Sequence, residues 1–265
     1  MISESPSTRP EDFLGFIAKP TPQLRATLEH QQSLLPRHEF KELLAWVSSA
    51  FDKYTAKLLD FQPGVARGTA MHQMMDRELK AAADLPISCR AGCSGCCHYE
   101  VEVTEDEAEI LKMIVQEGYP VDRERLSEQA ARQRQGVEWQ RLGHQQNRCV
   151  FLGATGGCNI YESRPAICRK HLVTSPASAC LTAGAPVAPV QVLMAEILLS
   201  AAASIEGTAT GSLPRMLHSA LQADHRPATV GVSIGEVRAQ PIEPSVAAAG
   251  DHDLPAVIPA PREHR

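Results

Sequence analysis

The stretch ISCRAGCSGCCHYEVEV at residues 87–103 decides how the chain is organised, because four of its eight cysteines fall within nine positions there. Cys89, Cys93 and Cys96 follow the spacing C-x3-C-x2-C, and Cys97 comes directly after them. Cysteines at this density favour metal coordination, in which bonds to a cation organise a segment that has little hydrophobic core. This stretch therefore predicts a metal site or the first half of one.

A second group of cysteines lies further along, in a segment rich in glycine and proline: Cys149, Cys158, Cys168 and Cys180. Thiolates need a cation to balance their charge, and Zn²⁺ or an iron–sulfur cluster accepts four of them. Nearby basic side chains can offset the remaining negative charge, namely those of Arg90, Arg164, Arg169 and Lys170. We interpret the two groups as two halves of one metal-binding region.

The adjacent pair Cys96 and Cys97 constrains the geometry of any such region. Neighbouring side chains on an extended chain point to opposite sides, so one thiolate can bind a metal while the other binds a second metal, packs inward or takes part in redox chemistry. Eight cysteines fill two four-ligand sites, or one site with four left over, and the spacing leaves both open. His98 and His171 flank the two groups and are further candidate ligands.

Bulk properties exclude several classes of function. The 265 residues carry a net charge of −5 with a pI near 6.1, which gives no general attraction to nucleic acid or anionic membranes. The N-terminus lacks the pattern of a secretory signal, and the most apolar stretch, at 190–205, contains Glu196 and is short for a membrane span. We therefore expect a cytoplasmic protein, in which eight cysteines are reduced and available to metal.

Outside the cysteine segments the periodicity predicts helices. Apolar residues recur at steps of four and three over 38–61, which indicates a core-facing helix or a short coiled coil. Thr104 and Glu107 form a capping box that starts a helix reaching about residue 117, directly after a short strand at 99–103. Four further helices are expected, at 67–83, 121–142, 188–206 and 213–223.

These elements predict a mainly α fold with a small irregular cysteine-rich metal-binding core and at most a short strand or hairpin. We expect no internal repeat. The predicted divisions are a flexible leader at 1–22, a helical N-terminal segment at 23–84, a cysteine-cluster metal-binding region at 85–182, C-terminal helices packing on the core at 183–224, and a disordered Pro/Ala-rich tail at 225–265.

At these residues the chain resembles the YkgJ-like cysteine-cluster proteins, a family described as zinc- or iron-chelating with a CxxCxxCC signature. The resemblance rests on CRAGCSGCCHYEVEVTEDEAEIL (89–111), on CVFLGATGGCNIYESRPAICR (149–169) and on Cys180, and it covers about residues 85–182. The first gap is three residues here, where the signature has two. The resemblance implies these metal ligands: Cys89, Cys93, Cys96, Cys97, Cys149, Cys158 and Cys168, with Cys180 as an eighth.

Three functions follow from these observations. The first is a binding module that holds iron, as an iron–sulfur cluster, or zinc, with its further activity undefined. The second is an iron–sulfur enzyme of methyl transfer or redox chemistry, since the cysteine cluster is similar to that of flagellin lysine methylases. The third is a structural zinc module whose helical face at 40–61 contacts a protein partner, unless the helices at 67–83 and 190–205 cover that face.

Two chemical arguments narrow the class of enzyme and the identity of the metal. C-x3-C-x2-C is also the spacing with which radical-SAM enzymes hold their cluster, but that class needs a barrel of alternating strands and helices, which the residues after Val103 do not predict. Closed zinc sites usually combine two close cysteine pairs, whereas here one tight group joins a widely spaced one. The pattern therefore favours an iron–sulfur cluster over zinc, and no substrate or protein partner is indicated.

Overall fold

A computed structural model describes residues 13–132, 145–182, 185–223 and 257–259 of the chain. Helices dominate these ranges: α1 (Pro22–Leu34), α2 (Arg37–Leu59), α3 (Val65–Glu78), α4 (Glu105–Gln116), α5 (Arg123–Ala130), α6 (Ala166–Lys170), α7 (Leu193–Ser204) and α8 (Leu213–Ala223). Short strands lie between them: β1 (Glu102–Thr104), β2 (Leu172–Val173), β3 (Pro189–Val192), β4 (Thr210–Ser212) and β5 (Val257–Pro259). The predicted mainly α fold is confirmed.

The larger hydrophobic core lies between α1, α2, α3 and α7. Helix α2 buries one face along its whole length, formed by Phe40, Leu43, Val47, Ala50, Phe51, Tyr54 and Leu58. That face packs on α7 and α3, so the apolar repeat at 38–61 marks a core-facing helix and not a coiled coil. The face is covered within the chain itself, and the suggestion that it serves as a contact for a protein partner is wrong.

A second, smaller core supports the cysteine segments. It is formed by β1, α4, α5 and α8, with Phe151 and Ile160 from the loop region between them. The predicted capping box at the start of α4 is present, because the Thr104 hydroxyl accepts a hydrogen bond from the Glu107 backbone N–H while the Glu107 carboxylate accepts one from the Thr104 N–H. This cap fixes the point at which the chain leaves β1 and turns towards the second core.

The strands form two small antiparallel sheets that join distant parts of the chain. β1 pairs with β4, with Glu102 opposite Ser212, and β2, β3 and β5 pair in that order. Partners such as β4 were not foreseen, because a three-residue strand has too little period-2 pattern to be recognised in a sequence. Every strand pair in the described ranges is antiparallel, so those ranges hold no barrel of the radical-SAM type.

The described residues cover the predicted divisions only in part. Leu14 and Ile17 are buried against the larger core, so packed structure begins before the predicted end of the leader at residue 22. Residues 133–144, which belong to the predicted helix at 121–142, lie outside the described ranges, as do 225–256 and 260–265 of the tail. The predicted disorder of the tail stays a prediction, and Val257–Pro259 forms strand β5.

None of the helices described is both long and apolar enough to cross a membrane. The most apolar one, α7, has 12 residues and carries a buried Glu196 that pairs with Lys170.

The two cores meet where α3 packs against α4. Gly68 on α3 allows this approach, because a Cβ there would lie 2.8 Å from Cδ1 of Ile110 and 3.0 Å from the carbonyl oxygen of Asp106. The next contact is ionic, since Nε of Arg67 lies 2.5 Å from a carboxylate oxygen of Asp106 and both side chains are buried. Helix α4, and with it the cysteine region, is therefore held at a fixed distance from the larger core.

Replacing Gly68 tests this contact. Alanine in a helix normally adds about 1 kcal/mol of stability over glycine, but the added methyl group here meets backbone and a buried side chain. We expect Gly68→Ala to lower the free energy of unfolding by about 1–3 kcal/mol, measured by urea denaturation. Gly157→Ala is the control, since a Cβ at Gly157 meets nothing within 4 Å. Equal stability of the two variants would contradict the close α3–α4 contact.

Candidate metal centre

Six of the eight cysteines line one cavity of about 60 Å³ on the side of the smaller core: Cys93, Cys96, Cys97, Cys149, Cys158 and Cys168. The rest of the wall is mainly apolar and comes from Val101, Phe151, Ile160, Pro165 and Leu213, with Tyr161 and Arg164 beside them. A single water needs about 10–15 Å³ of such volume, so the cavity is large enough for more than one atom. The two cysteine groups that stand far apart in sequence therefore meet in space.

Cys96 and Cys97 reach the same cavity because they lie in a turn of 3-10 helix. This helix, Gly95–His98, is closed by a hydrogen bond from the Cys97 N–H to the Ser94 carbonyl, 3.0 Å long. The Cys97 carbonyl in turn accepts a 2.7 Å hydrogen bond from the Cys149 N–H. The expectation that the pair points to opposite sides was based on an extended chain, and the helical turn overturns it.

A tight loop brings Cys158 next to Cys149. The backbone N–H of Gly153 donates to the Gly157 carbonyl at 2.8 Å, and the Asn159 N–H donates to the Phe151 carbonyl at 2.9 Å. Glycine at 153 leaves room for the Asn159 side chain, since a Cβ there would lie 2.6 Å from its Oδ1. The loop therefore returns the chain to the cavity within a few residues.

Cys168 is placed by a buried carboxylate on another element. The first residue of α6, Ala166, donates its backbone N–H to Oε1 of Glu107 at 2.8 Å. The same oxygen lies 3.1 Å from Nε2 of His72 on α3, and Oε2 of Glu107 accepts from the Thr104 N–H at 3.1 Å. The T-x-x-E pattern predicted the capping role of Glu107, but it carries no signal for this second role.

Burial and mutual contact set the ionisation of the thiols. Burial raises the pKa of Cys149 to about 11, and it raises the pKa of Cys158 and, further still, that of Cys168. The hydrogen bond between the paired thiols lowers the pKa of Cys96 to about 7 and raises the pKa of Cys97. At neutral pH most of these groups are therefore neutral thiols, and a cation must displace their protons to bind.

Arg164 is the basic residue that faces these thiols. Its guanidinium lies 4.0 Å from the centre of the Tyr161 ring, and its Nε is buried with no hydrogen-bond partner. Its positive charge lowers the pKa of Cys158, against the effect of burial. Together with the hydrogen bond from Cys97, it also lowers the pKa of Cys96. A partly buried cation whose Nε–H has no partner, beside a thiol cavity, fits an anionic metal–thiolate group.

The other three basic residues singled out from the sequence are placed differently. Arg169 forms an ion pair with Asp76, 2.8 Å long, and Lys170 pairs with the buried Glu196. Arg90 is exposed. Of these four basic residues, Arg164 is therefore the one that lines the cavity, and Arg125 adds a favourable charge near Cys149.

Cys89 and Cys180 do not line this cavity. Cys89 donates its S–H to the His171 carbonyl at 3.7 Å, and Cys180 lies against Gly95 in a 3-10 helix, Ala177–Leu181. Burial lowers the pKa of His171, with Lys170 adding to the effect. His98 ends the turn that holds the adjacent cysteines.

The sulfur atoms surround the cavity without converging on one point. Across the described residues, no three His, Cys, Asp or Glu side chains stand in an arrangement that holds a metal ion as placed. Each cysteine has a single side-chain torsion with three staggered positions. Coordination therefore requires these side chains to rotate towards a common point in the cavity.

Glu107→Gln tests the anchor of Cys168. An amide keeps the shape but has one acceptor oxygen in place of two, so a buried backbone N–H at Thr104 or Ala166 loses its partner. We expect the free energy of unfolding to fall by about 2 kcal/mol and the metal content of the purified protein to fall with it. Glu105→Gln, at an exposed position on the same helix, is the control. Unchanged stability and metal content in Glu107→Gln would show that this carboxylate holds nothing in place.

Arg164→Gln tests charge compensation. Removing this partly buried cation leaves the bound thiolates with excess negative charge, so we expect metal to dissociate about tenfold faster in the presence of a chelator. The chelator's absorbance measures the rate. Arg90→Gln removes the same charge from an exposed position and should match the unchanged protein. Equal rates for the two variants would exclude the role given to Arg164.

The comparisons with known proteins agree with this site. A family model described as "CxxCxxCC: Putative zinc- or iron-chelating domain" matches residues 88–181, a little over a third of the chain. No curated protein and no solved structure matches the chain. The description of the family agrees with the predicted cofactors, an iron–sulfur cluster or zinc, and the matched range runs from just before Cys89 to just after Cys180. Residues 88–181 of this chain therefore match the model of the CxxCxxCC family, which is described as a zinc- or iron-chelating domain.

Proposed function

We propose that the chain binds iron as an iron–sulfur cluster, held by thiolates of what we call the inner cluster: Cys96, Cys97, Cys149, Cys158 and Cys168. The observation that carries the proposal is that all five line one cavity together with Arg164. The cavity is walled by apolar side chains, which exclude water and strengthen each metal–sulfur and charge interaction inside it.

The adjacent pair Cys96 and Cys97 supports iron–sulfur over zinc. A structural zinc ion takes four ligands in a tetrahedron around a single centre. A polynuclear cluster distributes its bonds over several metal atoms and also accommodates two adjacent cysteines, whose sulfurs cannot easily reach one small ion at tetrahedral angles. The presence of both adjacent thiols at one cavity is therefore explained if more than one metal atom is held.

The charge and the enclosure of the cavity are compatible with an iron–sulfur cluster in a redox or a structural role. An iron–sulfur cluster supplies one-electron chemistry, with a potential set by its net charge, its hydrogen bonds and its exposure. Here Arg164 adds positive charge, and the apolar pocket wall limits access of water. All eight cysteines are free thiols, which supports a reducing compartment such as the cytoplasm.

Anaerobic purification with analysis of iron, zinc and acid-labile sulfide tests the proposal. We expect a coloured protein that contains iron and sulfide in similar amounts, and a visible spectrum that bleaches on reduction. Cys158→Ser and Cys149→Ser should each lose most of the colour and iron, because each removes a thiolate from the cavity.

Ser94→Ala is the matched control, since it alters the same cysteine segment without removing a sulfur. A colourless protein with stoichiometric zinc and neither iron nor sulfide would overturn the iron–sulfur proposal. Metal content unchanged in both cysteine variants would overturn the assignment of the cavity.

A further inference from the structure

We propose that Cys89, Cys93, Cys180 and His171 form a second metal site, separate from the inner cluster, which takes a single zinc-like divalent ion. We call these four residues the outer site. The inference rests on the proposed function in one respect, that cysteines of this chain coordinate metal. It adds that the eight cysteines divide into two centres of different kind.

The first support is the grouping of the thiols in space. Cys93 and Cys96 lie close enough to both Cys89 and Cys180 for their charge to raise the pKa of each of those thiols. Cys180 likewise raises the pKa of Cys89. The inner thiols have a different set of neighbours, since Cys149, Cys158 and Cys96 are the thiols close enough to raise the pKa of Cys168. Cys96 lies where the two sets meet.

The second support is the close approach of two backbone segments at Gly95. A Cβ on Gly95 would lie 2.5 Å from Cβ of Cys180 and 3.1 Å from its carbonyl carbon. Glycine at this position therefore allows the helical turn that carries Cys180 to pack directly on the turn that follows Cys93. The contact brings a cysteine from the end of the matched family segment next to one from its beginning.

The third support is the position of Cys89 beside His171. Ser88 donates its backbone N–H to the Val173 carbonyl at 2.9 Å, which fixes the start of the cysteine segment alongside β2. The Cys89 S–H then points at the His171 carbonyl. Cys89, which departs from the family spacing by one residue, is thus directed towards the outer site and away from the inner cavity.

The fourth support is a ring nitrogen of His171 that makes no hydrogen bond. Nε2 of His171 is buried and has no hydrogen-bond partner, and the ring packs edge-on against Tyr99 with 5.7 Å between the ring centres. Tyr99 in turn lies within electrostatic range of Cys180 and Cys96. A buried imidazole nitrogen without a partner carries an unfavourable desolvation cost that a bond to a metal ion removes.

The donor set determines the kind of ion. Three thiolates and one imidazole make up a Cys₃His set, which is typical of closed tetrahedral zinc sites. Cys93 also borders the inner cavity, and assigning it to the outer site still leaves five thiols for the inner cluster. Because the four ligands come from both ends of the family segment, an ion bound there ties those ends together.

Metal analysis of full-length variants tests the outer site. We expect the unchanged protein to hold about one zinc in addition to its iron. Cys180→Ser should lose the zinc while the iron, the sulfide and the visible spectrum stay as they are, and Cys158→Ser should show the reverse. Co²⁺ added in place of zinc should give the absorption of a tetrahedral site in Cys158→Ser and not in Cys180→Ser.

His171→Asn is a second variant, which leaves every thiol in place, and it should weaken Co²⁺ binding about tenfold or more. His38→Ala, at an exposed position on α2, is its control. Full zinc content in both Cys180→Ser and His171→Asn would overturn the outer site and leave the inner cluster standing. Loss of iron together with zinc in Cys180→Ser would show one shared centre and overturn the division. A wild-type protein without any bound metal would overturn both proposals.

Discussion

The buried carboxylate of Glu107 is the interaction on which the arrangement of the cysteines depends. One of its oxygens completes the cap of α4, and the other accepts the backbone N–H at the start of α6, which carries Cys168. His72 adds a contact from the larger core. A residue that is 2 % exposed and whose carboxylate holds donors from three segments cannot move without leaving them unpaired. The position of Cys168 is thus set by helix capping, although the two residues are far apart in sequence.

Local patterns in the sequence predicted those parts of the fold that depend on neighbouring residues. The repeat through Phe40 and Val47 predicted a buried helix, and Thr104 with Glu107 predicted the start of α4, because both signals operate within one or two helical turns. The pairing of β1 with β4 was not predicted, since it depends on contacts between distant segments that each hold only three residues. The second role of Glu107 was missed for the same reason.

The candidate site was predictable in composition but not in arrangement. Cysteine content and the family resemblance indicated the eight candidate ligands, yet the grouping along the chain does not match the grouping in space. Cys96 and Cys97 face one cavity because a 3-10 turn replaces the extended chain, and Cys180 approaches the first cysteine group because Gly95 has no side chain. Spacing reports how many residues separate two thiols and does not report how the chain folds between them.

The wall of the cavity is completed from outside the family segment. Leu213 lines the cavity, its backbone N–H donates to the Val101 carbonyl at 2.7 Å, and β4 just before it pairs with β1. During synthesis on the ribosome all eight cysteines emerge before this wall does, and the chain folds from its N-terminal parts first. The thiols are thus made earlier than the enclosure that protects them. Enclosure of a metal centre in this chain is accordingly a late event that follows release of residue 213 from the exit tunnel.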